Sequence, residues 1–160
     1  VLMSPRGQRW KQAKAQKEVD DDRGVIFICG RYEGVDERIL ELVDEQWSIG
    51  DFVLTGGEIP AMLVVDATAR MLPGVLGDDT SAPTDSFFDV LLSYPQYTRP
   101  RTFEGKAVPD VLLSGNHAEI ARWRREQSLL RTMRHRPELL PLAKLTTEDL
   151  LFLSKQNEKW

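Results

Sequence analysis

Residues 25–30 read Val-Ile-Phe-Ile-Cys-Gly, and this stretch decides the fold class. A continuous run of β-branched and aromatic residues is typical of a strand buried on both faces of a parallel sheet, and the glycine ends it. Residues 1–3 form a shorter apolar strand that stops at Ser4 and Pro5, and the polar amphipathic pattern of residues 8–19 predicts a helix after it. A strand, a helix and a second strand in this order predict an α/β fold with a parallel sheet.

Three further elements are expected before residue 77. Helical spacing over residues 36–43 predicts an amphipathic helix capped by Asp36, residues 52–54 predict a short strand, and residues 61–72 predict a helix. The polar, turn-rich sequence that follows predicts a flexible linker, which we place at residues 77–90.

The second half of the chain is predicted to be mainly helical. Asn116 and Glu119 occupy the N-cap and N3 positions of a capping box, and an apolar stripe follows at Ile120, Trp123, Leu130 and Met133. A last helix is expected over residues 147–155, with Thr146 or Thr147 as its cap. We therefore expect one domain at residues 1–76, the linker at residues 77–90 and a helical domain at residues 91–160.

Charge separates along the chain although the net charge is only −4. Acidic residues concentrate in residues 17–58, whereas arginines concentrate in residues 99–136. This distribution indicates phosphate-binding character in the second half. No apolar run has the roughly 18 residues of a membrane span, so no membrane partner is expected. The single cysteine, Cys29, and the absence of a leader pattern favour a reducing cytoplasm.

Three glycine-bearing loops, at residues 4–7, 30–34 and 48–57, each follow an apolar stretch. Ligands of open α/β sheets bind at the carboxyl ends of the strands, so converging loops predict a cofactor cup. The alternative is that the glycines only end strands. No dinucleotide fingerprint or Walker sequence is present, which argues against a nicotinamide-dependent oxidoreductase. Loops of this kind suit a cofactor with an adenine and a sulfonium, held by main-chain groups.

Four segments carry a more specific signal. They are CGRYEGVDER at residues 29–38, WSIGDFVLTGGEIP at residues 47–60, RMLPGVLG at residues 70–77 and LSGNHAEI at residues 113–120. In this order they resemble the signature stretches of bacterial tRNA (guanine-N(1))-methyltransferases, a SPOUT-class family. The resemblance implies a parallel sheet tied into a deep trefoil knot and a small helical C-terminal domain. It also implies methyl transfer from S-adenosylmethionine to N1 of the guanine 3′ of the anticodon.

The resemblance also implies site residues. The active site is expected at a homodimer interface, where Asp85 acts as the general base and Arg70 stabilises the guanine oxygen; the alternative for Asp85 is a helix N-cap. The cofactor is expected to contact the three loops through Met3, Ser4, Pro5, Gly30, Tyr32, Glu33, Ser48, Ile49, Gly50, Asp51, Phe52, Val53, Leu54, Gly56 and Gly57.

The basic half is expected to bind the anticodon arm of tRNA. The predicted contacts are Arg99, Arg101, His117, Arg122, Arg125, Arg131 and Arg134. Tyr97, Trp123 or His117 could also stack or pack against the RNA. The alternatives are a solvated helix face for several arginines, support of a helix start for His117 and a core position for Trp123. Magnesium dependence is implied by the resemblance, yet no carboxylate cluster has metal-ligand spacing, so no metal site is assigned.

The sequence begins at Val1 as though a strand were already under way. The N-terminal strands of the family pattern and their glycine-rich loop are missing from it, so we expect a partial sequence. A molecule that truly began at Val1 would have a destabilised sheet edge and little turnover. The competing interpretation is therefore a non-catalytic fragment that binds the cofactor or RNA.

Overall fold

The computed structural model describes residues 1–77 and 81–157, and it divides into two compact units, Val1–Ala82 and Pro83–Trp160. Residues 78–80 of the expected linker and residues 158–160 of the expected helical domain lie outside the described residues. The predicted domain limits stay a proposal. Each unit has its own apolar core.

The N-terminal unit is built on a three-stranded parallel sheet. Its strands are β1 (Leu2–Arg9), β2 (Ile28–Cys29) and β3 (Gln46–Ser48), in the order β2-β1-β3. Helix α1 (Gln12–Val19) follows β1, and helix α2 (Glu58–Ala69) follows β3. The expected α/β fold with a parallel sheet is confirmed.

The register of the sheet shifts within β1. Met3 pairs with Trp47 of β3, and Gln8 pairs with the same Trp47 five residues later. The intervening residues 4–7 therefore leave the ladder and bulge away from β3. Gly7 allows the return, because a Cβ there would lie 2.5 Å from both the carbonyl carbon of Gln46 and the backbone nitrogen of Trp47.

The core of this unit surrounds Trp47. Its ring is buried, with the Trp10 ring 4.7 Å and the Phe27 ring 6.0 Å away between centroids. Ala61 and Val64 pack into the same cluster from α2. The Trp47 indole N–H donates to Glu45 at 2.6 Å, which satisfies the polar edge of a buried ring.

Several predicted elements of this unit differ from the observed ones. The helix expected from residue 8 begins at Gln12, because β1 continues to Arg9. The strand expected at residues 25–29 is reduced to Ile28–Cys29, and Val25 and Ile26 are exposed, because β2 is an edge strand of this sheet.

Two more predictions are corrected further along. The amphipathic helix expected at residues 36–43 is a 3-10 helix, Glu37–Leu42, although Asp36 caps it as predicted by accepting from the Arg38 N–H. The strand expected at residues 52–54 is a loop, and the strand lies earlier, in β3. The helix expected at residues 61–72 is α2, shifted by about one turn.

The C-terminal unit is mainly helical among its described residues. The elements from the unit boundary onward are α3 (Ser81–Thr84), the hairpin of β4 (Thr102–Phe103) and β5 (Lys106–Ala107), a 3-10 helix (Asp110–Leu113), α4 (His117–His135), a 3-10 helix (Pro137–Leu142) and α5 (Thr147–Asn157). Leu91, Leu129 and Leu153 form the centre of its core.

The two predicted helix caps are present. The Asn116 side chain accepts from the Glu119 N–H at 3.4 Å, while the Asn116 N–H donates to Ser114 rather than to Glu119. At α5, Thr146 is the cap: the Asp149 N–H donates to the Thr146 hydroxyl, and the Thr146 N–H donates to the Asp149 carboxylate. This reciprocal pair is a complete capping box. The apolar stripe of α4 is displaced, because Leu129 occupies its buried centre.

No helix in the described part of the chain combines the length and apolar character needed to cross a membrane.

Candidate functional site

A cavity of about 540 Å³ lies beside the bulge of β1 and the carboxyl ends of β2 and β3. Its volume falls in the range of small-molecule and cofactor sites. Three segments line it: the bulge within β1, the loop that follows β2 and the loop that follows β3. The predicted convergence of the glycine loops is therefore present in the structure.

The first wall is the bulge of β1. Ser4, Pro5 and Arg6 line the cavity, and they are the residues that leave the ladder with β3. The Arg6 N–H donates to the Ser4 hydroxyl at 3.3 Å, which closes the bulge locally. This wall forms because β1 leaves its pairing with β3 after Met3 and approaches β3 again at Gly7.

The second wall is the loop at residues 30–35. Tyr32 and Gly34 both have positive φ, 59° and 131°, and the Tyr32 side chain is fully exposed. The Gly30 carbonyl accepts from the Gly57 N–H at 3.0 Å, so this loop is tied to the third wall by main-chain atoms. The isolated bridge between Arg31 and Gly56 adds a second tie.

The third wall runs from Ser48 to Gly57. The Ser48 hydroxyl donates to the Gly50 carbonyl and accepts from the Gly50 N–H, which forms a tight turn with Gly50 at φ 154°. At Gly57 a Cβ would lie 2.8 Å from the Cys29 Cα and 3.2 Å from the Met3 Cβ. Glycine is needed there so that α2 can begin against β1 and β2.

Ion pairs surround the mouth of the cavity. Arg6 contacts Glu37 at 3.1 Å, and Arg31 contacts Glu58 at 2.7 Å. The pKa of Glu58 is lowered by a hydrogen bond from its own backbone N–H and by the Arg31 guanidinium. These pairs are exposed, so each adds little to stability.

The predicted cofactor residues lie together with one exception. All of them line the cavity except Asp51, which pairs with Arg9 outside the lining. The lining also includes residues that the prediction omitted: Leu2, Arg6, Arg31, Gly34, Val35, Glu37, Trp47, Thr55 and Pro60. Most of them adjoin predicted residues in the sequence, so a contiguous reading of each loop would have found them.

The two predicted catalytic residues lie in different units. Arg70 follows α2 in the N-terminal unit, where its backbone N–H continues the helix by donating to Asp66. Asp85 follows α3 in the C-terminal unit, and its carbonyl accepts from the Phe88 N–H. Residues 85–90 form turns and bends, so the alternative N-cap role for Asp85 has no helix to support.

Most predicted RNA contacts are exposed. Arg99 and Arg101 precede the β4–β5 hairpin, His117 is the first residue of α4, and Arg122, Arg131 and Arg134 lie along that helix. Trp123 is half-buried, with the Tyr97 ring 6.4 Å away, which fits its alternative position at the edge of the core.

Arg125 differs from the other six, because it is held inside the unit. Its guanidinium donates to the Asp149 carboxylate at 2.9 Å, to Asp89 at 3.0 Å and to the Lys144 carbonyl at 3.2 Å. Burial raises the pKa of Asp149, but hydrogen bonds from Arg125 and from the Thr146 backbone outweigh it, and the net pKa is lowered. The hydrogen bond that Arg125 donates to Asp149 raises the pKa of Arg125 in turn.

In the described ranges, residues 1–77 and 81–157, no group of three His, Cys, Asp or Glu side chains is placed to hold a metal ion. The expected magnesium ion therefore receives no site from these residues.

Comparisons with known proteins agree on one family. The family model of tRNA (Guanine-1)-methyltransferase TrmD matches residues 1–142. Three similar curated proteins are the tRNA (guanine-N(1)-)-methyltransferases of Syntrophotalea carbinolica, Geobacter metallireducens and Geotalea uraniireducens, which are 56%, 56% and 58% identical to this chain.

The alignments cover nearly all of this chain but only part of each relative. They include 97%, 99% and 97% of the chain and 62%, 64% and 63% of the respective relatives. The chain therefore spans less than two thirds of the length of the curated proteins that it matches.

Proposed function

The chain belongs to the tRNA (guanine-1)-methyltransferase family, and we propose on this basis that it transfers a methyl group from S-adenosylmethionine to N1 of the guanine 3′ of the anticodon in tRNA. The observation that carries the proposal is the cavity at the carboxyl ends of β2 and β3, beside the bulge of β1. Open parallel sheets bind their ligands at this edge, and the lining consists of the loops that the family resemblance assigns to the cofactor.

The cavity fits S-adenosylmethionine in size and in chemistry. Ile49, Leu54 and Pro60 provide apolar surface for an adenine, and the three loops present main-chain groups to polar atoms. The cofactor supplies an activated methyl group, so the protein has mainly to align the reacting atoms.

Deprotonation is the chemistry that side chains must provide. Guanine N1 carries a proton at neutral pH, and we assign its removal to the Asp85 carboxylate. We assign to Arg70 the stabilisation of negative charge that develops on the guanine O6, because a guanidinium donates hydrogen bonds and does not deprotonate.

A homodimer with the active site at its interface is the second part of the proposal. Helix α2 supports it, because Ile59, Met62, Leu63 and Val65 are exposed while Ala61 and Val64 are buried. A helix that is apolar on all sides is typical of burial on both faces. The deep trefoil knot and the lending of Asp85 to a neighbouring subunit's cofactor are expectations from the SPOUT class.

The C-terminal unit is proposed to bind the anticodon arm. The exposed arginines Arg99, Arg101, Arg122, Arg131 and Arg134, with His117, are available on its surface for phosphates. Arg125 would have to leave two carboxylates to join them. Magnesium dependence and a cytoplasmic location remain predictions.

The proposal is tested by label transfer from methyl-labelled S-adenosylmethionine to a tRNA transcript with guanine 3′ of the anticodon. Asp85→Asn and Arg70→Ala should each lower the rate by roughly 10²-fold, the usual contribution of a general base or of an oxyanion donor.

Matched controls are Asp22→Asn and Arg23→Ala, which change exposed side chains that do not line the cavity and should keep the wild-type rate. Unchanged rates in the Asp85 and Arg70 variants would contradict the residue assignments. Cofactor binding in calorimetry without any label transfer would favour the non-catalytic binding fragment, and binding of a nicotinamide instead would overturn both interpretations.

A further inference from the structure

Residues 85–94, which we call the Asp85 loop, fold back onto α4. Leu91 is almost completely buried against Leu129 and Leu153, and the Leu92 N–H donates to the Thr132 hydroxyl at 2.9 Å. Within the loop, the Ser93 N–H donates to the Ser86 hydroxyl at 2.9 Å, and the Phe87 N–H donates to the Leu91 carbonyl at 2.7 Å. The loop is therefore closed on itself and anchored at its C-terminal half.

The backbone of this loop is strained. Phe87 and Val90 have φ of 71° and 78°, in the left-handed region that side chains disfavour and that β-branched residues rarely enter. Such conformations persist only where surrounding contacts over-determine them. The bonds from Phe87 to Leu91 and from Ser93 to Ser86 provide part of this restraint, and a contact from another element adds to it near Asp85.

Arg125 supplies such a contact from α4. Its Nη1 donates to Asp89 Oδ2 at 3.0 Å, and its Nε and Nη2 donate to the Asp149 carboxylate of α5. Asp149 is only 7% exposed at its side chain and is fixed by the capping box with Thr146. One guanidinium thus links a rigid helix pair to a residue four positions after Asp85.

Asp85 and Asp89 also share a surface. Both line a cleft of about 180 Å³ in the C-terminal unit, and Arg124 and Arg125 line the same cleft. A movement of Asp89 away from Arg125 would therefore alter the wall on which Asp85 lies.

We propose that Arg125 is a positioning residue for Asp85: by bridging Asp149 and Asp89 it holds the strained Asp85 loop in one conformation, and it does not bind tRNA phosphates. This inference rests on the proposed role of Asp85 as the general base. It replaces the expected RNA contact of Arg125, because all three nitrogens of its guanidinium already donate within the unit.

The first experiment measures the loop directly, by amide hydrogen exchange of the full chain. Asp89→Ala removes the link to Arg125 at a residue that is 57% exposed, so the fold should be kept. Exchange at Phe87 and Leu92 should accelerate by about tenfold or more while amides in the middle of α4 stay protected. Asp89→Asn keeps an oxygen that accepts from Arg125 and should restore most of the protection.

The second experiment separates positioning from binding by steady-state kinetics of methyl transfer. Asp89→Ala should lower kcat by about tenfold with KM for S-adenosylmethionine and for tRNA unchanged, because small displacements of a catalytic group reduce the chemical rate. Asp89→Asn should recover most of that loss. Arg125→Lys pairs with only one carboxylate and should behave like Asp89→Ala.

Arg122→Ala is the matched control, since Arg122 lies on the same helix, pairs only with Glu126 among the described contacts and is 81% exposed. It should leave loop exchange unchanged and raise KM for tRNA, as expected of a proposed phosphate contact. An Arg125→Lys variant that raises KM for tRNA with unchanged kcat would overturn the inference and return Arg125 to RNA binding.

The outcomes distinguish a failure of this inference from a failure of the proposed methyl transfer. Unchanged exchange at Phe87 and Leu92 in Asp89→Ala contradicts the inference whatever the activity. A wild-type chain that transfers no label contradicts the proposed function and, with it, the catalytic half of the inference. Exchange still decides in that case whether Arg125 holds the loop.

Discussion

The candidate sites of the two units differ in whether the main chain or the side chains shape them. In the N-terminal unit the cavity is shaped by main-chain departures from a parallel sheet, at residues 4–7, 30–35 and 48–57. In the C-terminal unit side chains help to hold the Asp85 loop, among them Leu91 in the core, Thr132 and Arg125 between Asp89 and Asp149. We therefore expect substitutions that add volume to disrupt the N-terminal cavity, and substitutions that remove a charge to disrupt the Asp85 loop. Four predictions test this difference.

The largest effect is expected from Gly7→Ala in the N-terminal unit. The new Cβ would meet backbone atoms of Gln46 and Trp47 at 2.5 Å, and backbone cannot yield as a flexible side chain can. We expect a loss of about 3 kcal/mol in the free energy of unfolding, as for overpacked cores. Urea denaturation followed by tryptophan fluorescence measures it. Gly24→Ala is the control, because its Cβ would meet nothing within 4 Å, and equal losses in both would contradict the close approach.

The second effect is expected from Arg125→Ala in the C-terminal unit. Removing the guanidinium leaves the buried Asp149 carboxylate without its counter-charge, which costs about 2 kcal/mol after allowance for the partial exposure of Arg125. Exchange of α5 amides at neutral pH reports the loss. Arg122→Ala removes an exposed pair on the same helix and should cost less than about 0.5 kcal/mol. Similar costs for both variants would show that Asp149 does not depend on Arg125.

The third prediction concerns pH and the same carboxylate. The pKa of Asp149 is lowered in the folded state, so its contribution is fully present above the ordinary value of about 3.9 and is lost as pH falls through the folded pKa. Asp149→Asn removes this titration. The C-terminal unit of the variant should therefore lose less stability than wild type between neutral pH and strongly acidic pH. Parallel acid-unfolding curves would refute the assignment.

The smallest effect is a gain. Val90→Gly replaces a β-branched residue at φ 78° with the residue that tolerates this conformation, and it should stabilise the C-terminal unit by about 1 kcal/mol. Val75→Gly, in an exposed turn of the N-terminal unit, relieves no such strain and should destabilise slightly. Thermal unfolding of both variants checks the opposite signs. A loss in Val90→Gly would mean that the packing of the valine outweighs its backbone strain.

Sequence patterns correctly predicted the helix caps, which depend only on neighbouring residues. Asp36 caps a helical turn, Asn116 caps α4 and Thr146 caps α5, because each cap depends on a side chain within three residues of the amide that it accepts from. The glycine loops predicted one cavity because parallel strands end at a common edge. The strand expected at residues 52–54 failed since an apolar run alone does not distinguish a strand from the wall of a cavity.

The features that the sequence did not predict depend on contacts between distant residues. The expected burial of Val25 and Ile26 depended on their position in the sheet, and β2 lies at its edge. The contacts of Arg125 with Asp89 and Asp149 were not predicted, because these partners lie 36 and 24 residues away along the chain and its sequence neighbours resemble any basic helix face.

The sequence by itself determined the α/β class, the helix caps, the family membership through its motifs and the three loops of the cavity, because these depend on residue identity within short spans. Only the tertiary structure decided that β1 bulges between two pairings with Trp47, that Gly57 serves the packing of α2 and that Arg125 bridges two carboxylates. Such features depend on contacts between residues that are distant in the sequence. The electrostatic free energy of the Arg125 guanidinium is different in water and between two carboxylates of a folded unit.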